Sequence, residues 1–462
     1  MRRALGMLLA AVLCAPAACT GGGGGDGTGP APSGDVPGSI VVASGRDVTG
    51  QNGVRRRLID AWNEQQEKAG QEYRARLVEL PGSADEQRGQ LLGALQSGSA
   101  DYDVVNLDVT WVPEFAAAGL VRPLPDTLVG ADVIDSVAGT ASWAGQVYAV
   151  PFNSDVGLLY YRRDHLVRAD LERTELDGVT DWRRLEDLVD VLDEGDIPGY
   201  EKGWTTQLAA YEGRTVNAVE AFASTDPDFA LTDDAGHYTG TVEQLTRGIA
   251  ELRRRTDTPY TLADATQSDE AASLADFTDG RTTFLRHWPW VYRTLHQSFA
   301  ARQLGVTALP GRAVLGGQNL AVTATSRRAE KATELIEFLT GKESERCLLD
   351  AGFAATRVSA YEDDGVRCPV TAAGTPSAAP SGERPDRMPR DAADRPAYAR
   401  SVLLPALRRA VHRPRTPLYG AFTQTLTAQL GPLFGTDPPD DAELAERLDA
   451  ALRRALPDPD DR

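Results

Sequence analysis

The sequence carries none of the short motifs that mark common enzyme chemistries. It has no HExxH, no CxxC, no P-loop and no GxSxG elbow, and these absences count against an enzyme. Its five histidines (His165, His237, His287, His296 and His412) are scattered without metal-ligand spacing, so neither a metal nor a cofactor is expected. Basic residues are in deficit: 48 Lys and Arg face 67 Asp and Glu, a net charge of -19. A chain so acidic has no basic excess to neutralise phosphates, which excludes nucleic acid as the expected partner. Beyond residue 18 no apolar run is long enough to cross a membrane. Carboxylates are abundant enough to supply a glycosidase pair, but residue order does not set their separation. A secreted carbohydrate-active enzyme therefore stays open as an alternative.

Cysteine is scarce as well, and its four positions set the compartment. Arg2 and Arg3 precede an apolar run, Ala4 to Ala18, that is short for a bilayer span and ends in small residues. Residues 1–18 read as a secretory signal, with Cys14 inside it. Pro16-Ala17-Ala18-Cys19 resembles a lipoprotein cleavage box in which Cys19 carries the lipid, although Pro16 stands where an aliphatic residue is usual. The protein is then expected outside the cell, lipid-anchored to the outer face of the bacterial membrane. Residues 19–38 are dominated by glycine and proline and form a flexible tether. Gly22, Gly24 and Gly27 match GxGxxG there, but no strand precedes and no helix follows, so the match is accidental. Cys347 and Cys368 remain. In an oxidising compartment a disulfide between them is favoured over two separate buried thiols, and closing that loop contributes roughly 3 kcal/mol on the chain-entropy model.

The rest of the chain is too long for one compact core, so two lobes are expected. Ser39 to Ser44, Tyr73 to Leu80 and Asp103 to Leu107 read as strands. Between them Val54, Leu58, Ile59 and Trp62, then Leu91, Leu92 and Leu95, recur at helical spacing. This β-α-β-α-β order implies a parallel sheet with right-handed crossovers. Ligands of such sheets bind at the rim beyond the strands' carboxyl ends, where Arg46 and Asp47 would meet Asp108 and Trp111. Farther along, Thr180 or Asp181 can cap a helix with the stripe Leu185, Leu188, Val189 and Leu192. Helices are predicted over Gln207–Ala223, Val242–Arg254, Ala329–Leu339, Ser401–Val411 and Asp441–Leu456, and strands over Val306–Leu309 and Asn319–Thr323. Thr371 to Arg395, rich in alanine, proline and charge, reads as a surface excursion.

Four stretches carry a resemblance. YAVPFNSDVGLLYYRRD, Tyr148 to Asp164, sets Asn153 and Asp155 between an apolar approach and an apolar, β-prone exit. It resembles the crossover between the lobes of bacterial extracellular solute-binding proteins, in particular the sugar-binding family of trehalose and maltose type that serves ABC importers. FTDGRTTFLRHWPWVY, Phe277 to Tyr292, resembles the aromatic ligand loop of that family. QLAAYEGRTVNAVE, Gln207 to Glu220, is similar to its helix whose glutamate, here Glu212, faces the ligand, with Tyr211 and Asn217 as weaker candidates. Gly316-Gly317-Gln318-Asn319 resembles its glycine pair before a strand, with Gln318 where many sugar binders place tryptophan.

The resemblance implies an α/β, periplasmic-binding-protein-like fold: two α/β lobes joined by a multi-segment hinge, with the ligand cleft between them. Residues 39–152 and 306–352 would form lobe one, and 153–305 and 353–458 lobe two. It implies no catalytic residue. Its ligand contacts would be Asp47, Asp108, Asn153, Asp155, Glu212, Trp288, Trp290, Gly317, Gln318 and Arg395. These residue types suit a sugar, which offers apolar C–H faces to an aromatic plate and hydroxyls that both donate and accept. Several also have a plainer reading: Asp47 and Asp108 as helix caps, the indoles as core, Glu212 as a solvated helical side chain. The expected partners are a mono-, di- or oligosaccharide, the transmembrane subunits of an ABC permease, and the membrane through the N-terminal lipid, with the protein itself a monomer. A binder of the same fold for another solute, such as a polyamine, is the second alternative.

Overall fold

The computed structural model describes residues 35–46, 53–171, 174–176, 181–226, 228–257, 259–370 and 387–456. Residues 1–34, with Cys19, lie outside these, as do Asp47 and 371–386. Strands β1 (Ser39–Gly45), β2 (Arg74–Leu80) and β3 (Val104–Asp108) alternate with helices Val54–Lys68 and Ala84–Gln96. The first helix buries Val54, Leu58, Ile59 and Trp62, and with them Arg55. The second begins at a capping box in which Ser83 and Glu86 satisfy each other's backbone N–H. β1 runs parallel to both β2 and β3, as the alternation of elements requires.

A short hairpin, β4 (Ser142–Trp143) and β5 (Gln146–Val147), leads into β6 (Val150–Val156) and β7 (Leu158–Arg162). These two strands belong to different sheets. With β8 (Lys202–Thr205), β9 (Thr282–His287), β10 (Leu304–Ala308) and β11 (Leu315–Val322), they complete a five-stranded sheet, β2-β1-β3-β11-β6, and a four-stranded one, β10-β7-β9-β8. The chain passes from the first sheet to the second at Gly157 and returns between Ala308 and Leu315. β10 pairs with β7 over its whole length, so the return falls after the expected boundary at 306.

Gly157 has a physical reason. Behind it lies a buried ion pair, Arg286 to Glu220 at 2.7 Å, with side chains 1% and 2% exposed. A Cβ on Gly157 would stand 2.3 Å from Glu220 Oε1 and 3.0 Å from Arg286 Nη2. Only a hydrogen side chain lets the crossing strand run this close to the pair.

The described residues from Asp35 onward pack as one unit. One core cluster joins Ala43, Leu80, Val105 and Leu107 of the first sheet to Phe222, Ile249, Leu426 and Leu448 on helices Glu212–Thr225, Val242–Arg255, Tyr419–Leu430 and Asp441–Ala455. Cys347 and Cys368 are joined in a disulfide. Two expectations need correction. The helix predicted from Gln207 starts at Glu212, because the backbone N–H groups of Leu208 and Ala209 go instead to Ala265 O and Ser268 O. The end of the supposed surface excursion is packed, with Met388 4%, Ala393 8% and Arg395 2% exposed.

Candidate functional site

Between the two sheets the rim of β3, the end of β6, the start of β11 and the loop after β9 enclose a cavity of about 320 Å³. Asp108, Asp155, Glu212, Glu270, Tyr211, Trp288, Trp290, Gly317, Gln318 and Arg413 line it. A second cavity of about 310 Å³ adjoins it, sharing Asp108, Asp155, Trp290 and Gln318 and adding Arg46, Arg55, Trp111 and Asn153. Of the residues expected at the site, Asp108, Asp155, Glu212, Trp288, Trp290, Gly317 and Gln318 meet at the first cavity, and Asn153 joins at the second. Asp47 lies outside the described residues.

The floor is built by register. On β6 and β11, Asp155 faces Gly316, Ser154 faces Gly317 and Asn153 faces Gln318. Gly317 has φ +112°, and a Cβ there would lie 2.3 Å from Asn153 O. The glycine therefore serves close approach of the two strands, beyond any approach to a ligand. Asn153 is 2% exposed; its Nδ2 donates to Gln318 Oε1 at 2.7 Å, and its Oδ1 accepts from Arg55 Nη2 at 3.0 Å. Arg55 also donates to Ser44 Oγ at 3.0 Å and to Gln318 Oε1 at 3.4 Å. These amides are thus held at fixed angles.

The acids differ in their surroundings. Asp108 Oδ1 accepts from Thr110 N at 2.9 Å, Thr110 Oγ1 at 2.8 Å and Arg413 Nη2 at 3.0 Å. It closes the turn before helix Val112–Ala117, whose N-cap is Trp111, so the capping alternative is realised as an Asx-turn. Glu212, on the opposite wall, accepts from Arg413 Nη1 at 2.6 Å, from Thr423 Oγ1 at 2.8 Å and from the Tyr419 hydroxyl. Burial raises its pKa; Arg413 opposes and Asp108 adds to the rise. Asp155 has a different setting. Its Oδ1 is buried without a hydrogen-bond partner among the described residues, and burial pushes its pKa up to about 7.

The aromatic wall is the loop Trp288-Pro289-Trp290. The hydroxyl of Tyr160 donates to Trp288 O at 3.1 Å, and that of Tyr398 to Pro289 O at 3.3 Å. Behind the loop, His287 Nδ1 accepts the Trp288 N–H at 2.9 Å while Nε2 meets Glu270 O at 3.1 Å. Burial lowers the His287 pKa to about 3, so the ring stays neutral and its Nε2–H donates. The Arg286 guanidinium lies 3.9 Å from the Trp288 ring centroid, covering one indole face. Trp288 and Trp290 are only partly buried: Trp290 packs against a core cluster that includes Leu285 and Val291, and Trp288 against Val216, Val219 and Val314.

A family model for bacterial extracellular solute-binding proteins matches residues 58–370, more than half the chain. The chain belongs to this family. Among curated relatives, a probable ABC transporter-binding protein of Deinococcus radiodurans is 27% identical over 321 residues, covering 66% of this chain and 73% of the relative. Among solved structures, maltose-bound MalE3 of T. maritima superposes with TM-score 0.73 at 21% identity over 90% of this chain and 100% of that one. The GacH receptor of Streptomyces glaucescens gives 0.71 at 19%, over 92% and 100%. UgpB of Mycobacterium tuberculosis, in complex with glycerophosphocholine, gives 0.67 at 20%, over 90% and 99%. This solute-binding protein thus shares the fold of maltose-binding-protein-like periplasmic binding proteins.

One expected contact is not at the cleft. Arg395 donates to Asp391 Oδ2 at 2.8 Å and to Tyr361 O, and pairs with Asp364 at 2.7 Å. Two carboxylates and a carbonyl hold it in a polar cluster away from both cavities. Conversely, Arg413, Glu270 and Arg55 line the cavities and were not singled out. Arg55 left a signal, a charge beside the apolar stripe Val54-Leu58-Ile59-Trp62, whereas Arg413 sits in a loop without periodicity.

Proposed function

We propose that this solute-binding protein captures a mono-, di- or oligosaccharide and passes it to the transmembrane subunits of an ABC permease. One observation carries the reading. Carboxylates, planar amides and two partly buried indoles, from segments far apart in sequence, converge on one cavity of about 320 Å³. That size is within the range of small-molecule sites, and the mix of flat apolar plates with oriented polar groups suits a polyol. Maltose-bound MalE3, and the GacH receptor, which is described both unliganded and in complex with acarbose, support it. No catalytic step is part of the proposal.

In this reading the five-stranded sheet and its helices form one lobe and the four-stranded sheet forms the other. The crossings at Gly157 and after Ala308 act as a hinge. Asp108 on the first sheet and Glu212 on the far wall are bridged by Arg413, a contact that in this reading belongs to the closed state. Ligand contacts to both lobes would favour that state, and the permease would recognise it. The lipid on Cys19 would anchor a monomer at the outer face of the membrane, after cleavage of residues 1–18 and with 19–38 as tether. Calorimetric titration against a sugar panel tests the site. Trp288→Ala should weaken the sugar found at least about tenfold while leaving the fold intact. Unchanged affinity would refute the stacking role.

A further inference from the structure

We propose that the solute carries a protonated amine: an amino-substituted sugar whose ammonium docks on the Asp155 carboxylate beside Trp288 and Trp290. The inference rests on the carbohydrate reading and narrows it. Four carboxylates line the main cavity, Asp108, Asp155, Glu212 and Glu270, with Arg413 as the only cationic side chain on that wall among the described residues. Arg413 is committed to Asp108 at 3.0 Å and Glu212 at 2.6 Å. Glu270 receives only neutral donors, the Tyr211 hydroxyl at 2.8 Å and Trp288 Nε1 at 3.4 Å. Asp155 Oδ1 receives nothing among the described residues.

Charged groups near Asp155 are hydrogen-bonded elsewhere, although the Arg55 charge, whose named acceptors are neutral, still acts on it. Arg286 is bonded to Glu220 and Arg413 to Asp108 and Glu212. Arg55 donates to Ser44, Asn153, Gln318 and the Gly45 carbonyl, and Asp108 adds like charge. Arg46 lies at the adjoining cavity. Two wall carboxylates are therefore left without a bonded cation. A neutral hydroxyl offers one donor and no charge. An ammonium offers three donors and a full charge, and indole faces favour it further. The flat indoles in turn favour a ring over a linear polyamine.

The two kinds of ligand move protons in opposite directions. Asp155 titrates near neutrality, so part of the unliganded population holds a proton there. An arriving ammonium favours the carboxylate and expels that proton to the buffer. A neutral sugar only dries the group further and draws a proton in. The test is calorimetry on the mature protein at about pH 6, where a sugar amine is already protonated and Asp155 still holds most of its proton, in two buffers of different ionisation enthalpy. The probes are matched pairs: glucose with glucosamine, cellobiose with the glucosamine disaccharide, and a panel of neutral mono- to trisaccharides with their amino counterparts. The amino member should bind at least tenfold tighter and release protons, and Asp155→Asn should cut that preference below threefold. A neutral member that binds as tightly, or proton uptake on binding the amino member, overturns the amine inference and leaves the carbohydrate reading standing. Binding by no member of any pair overturns both. The proton count is read on the unsubstituted protein, so the outcome does not depend on the variant folding.

Discussion

Replacing Asp155 with asparagine should stabilise the ligand-free protein at neutral pH and leave it unchanged in acid. Burial raises this carboxyl from 3.8 to about 7; Arg55 opposes most, Asp108 adds to the rise, and Arg286 and Arg413 oppose it. Between the two values the native state holds a proton that the unfolded state has lost, so stability falls as pH rises through that window. Below it both states are protonated and the cost vanishes. Above it the cost is constant: a rise of about three units at about 1.4 kcal/mol each is at most about 4 kcal/mol. Asparagine keeps the shape and removes the charge. Urea denaturation of both proteins at intervals from about pH 3.5 to about pH 8 reads the difference directly. It should be near zero at the acid end, grow toward neutrality and level off. A difference that is constant with pH, or an asparagine variant less stable than the parent at about pH 8, would refute the reasoning. On the proposed function, a residue that costs stability while lining this cavity would be one retained for binding.

Two other substitutions probe the frame around it. Arg413→Gln leaves Asp108 and Glu212 facing a neutral side chain, and should cost about 3–5 kcal/mol at neutral pH. That loss should shrink in acid as Glu212, whose pKa burial raises, takes up a proton, and a pH-independent loss in urea titrations would show that the guanidinium acts by packing alone. Gly157→Ala drives a methyl to 2.3 Å from Glu220 Oε1, so it should cost about 3 kcal/mol or more by prising apart the Arg286–Glu220 pair. A chemical denaturation midpoint equal to that of the parent would contradict it.

The framework was readable because it obeys local rules. β1 to β3 and the helices between them follow from apolar spacing, and Ala329–Leu339 is reproduced to the residue. Asp181 caps its helix by accepting the Arg184 N–H at 3.1 Å. The indole loop and the Asn153–Asp155 stretch of β6 were legible through resemblance, since their side chains form a run in sequence. Arg413 was not, because its role depends on two carboxylates 305 and 201 residues away. Gln207 shows another limit of local reasoning. Its amide donates to Ser273 Oγ at 2.7 Å and Arg286 O at 2.9 Å, which holds the chain extended and delays the helix to Glu212. Arg395 was misplaced for a similar reason: an arginine beside a proline reads alike whether its partners are a ligand or Asp391 and Asp364.

The most direct test of the account is small-angle X-ray scattering on the mature protein, free and saturated with a carbohydrate found by titration. If two lobes grip the solute across this cavity, the radius of gyration should fall on saturation, and Trp288→Ala should need at least about tenfold more ligand for the same fall. A bound carbohydrate that leaves the scattering curve unchanged would contradict closure, and with it the claim that acids and indoles from the two sides meet around the ligand.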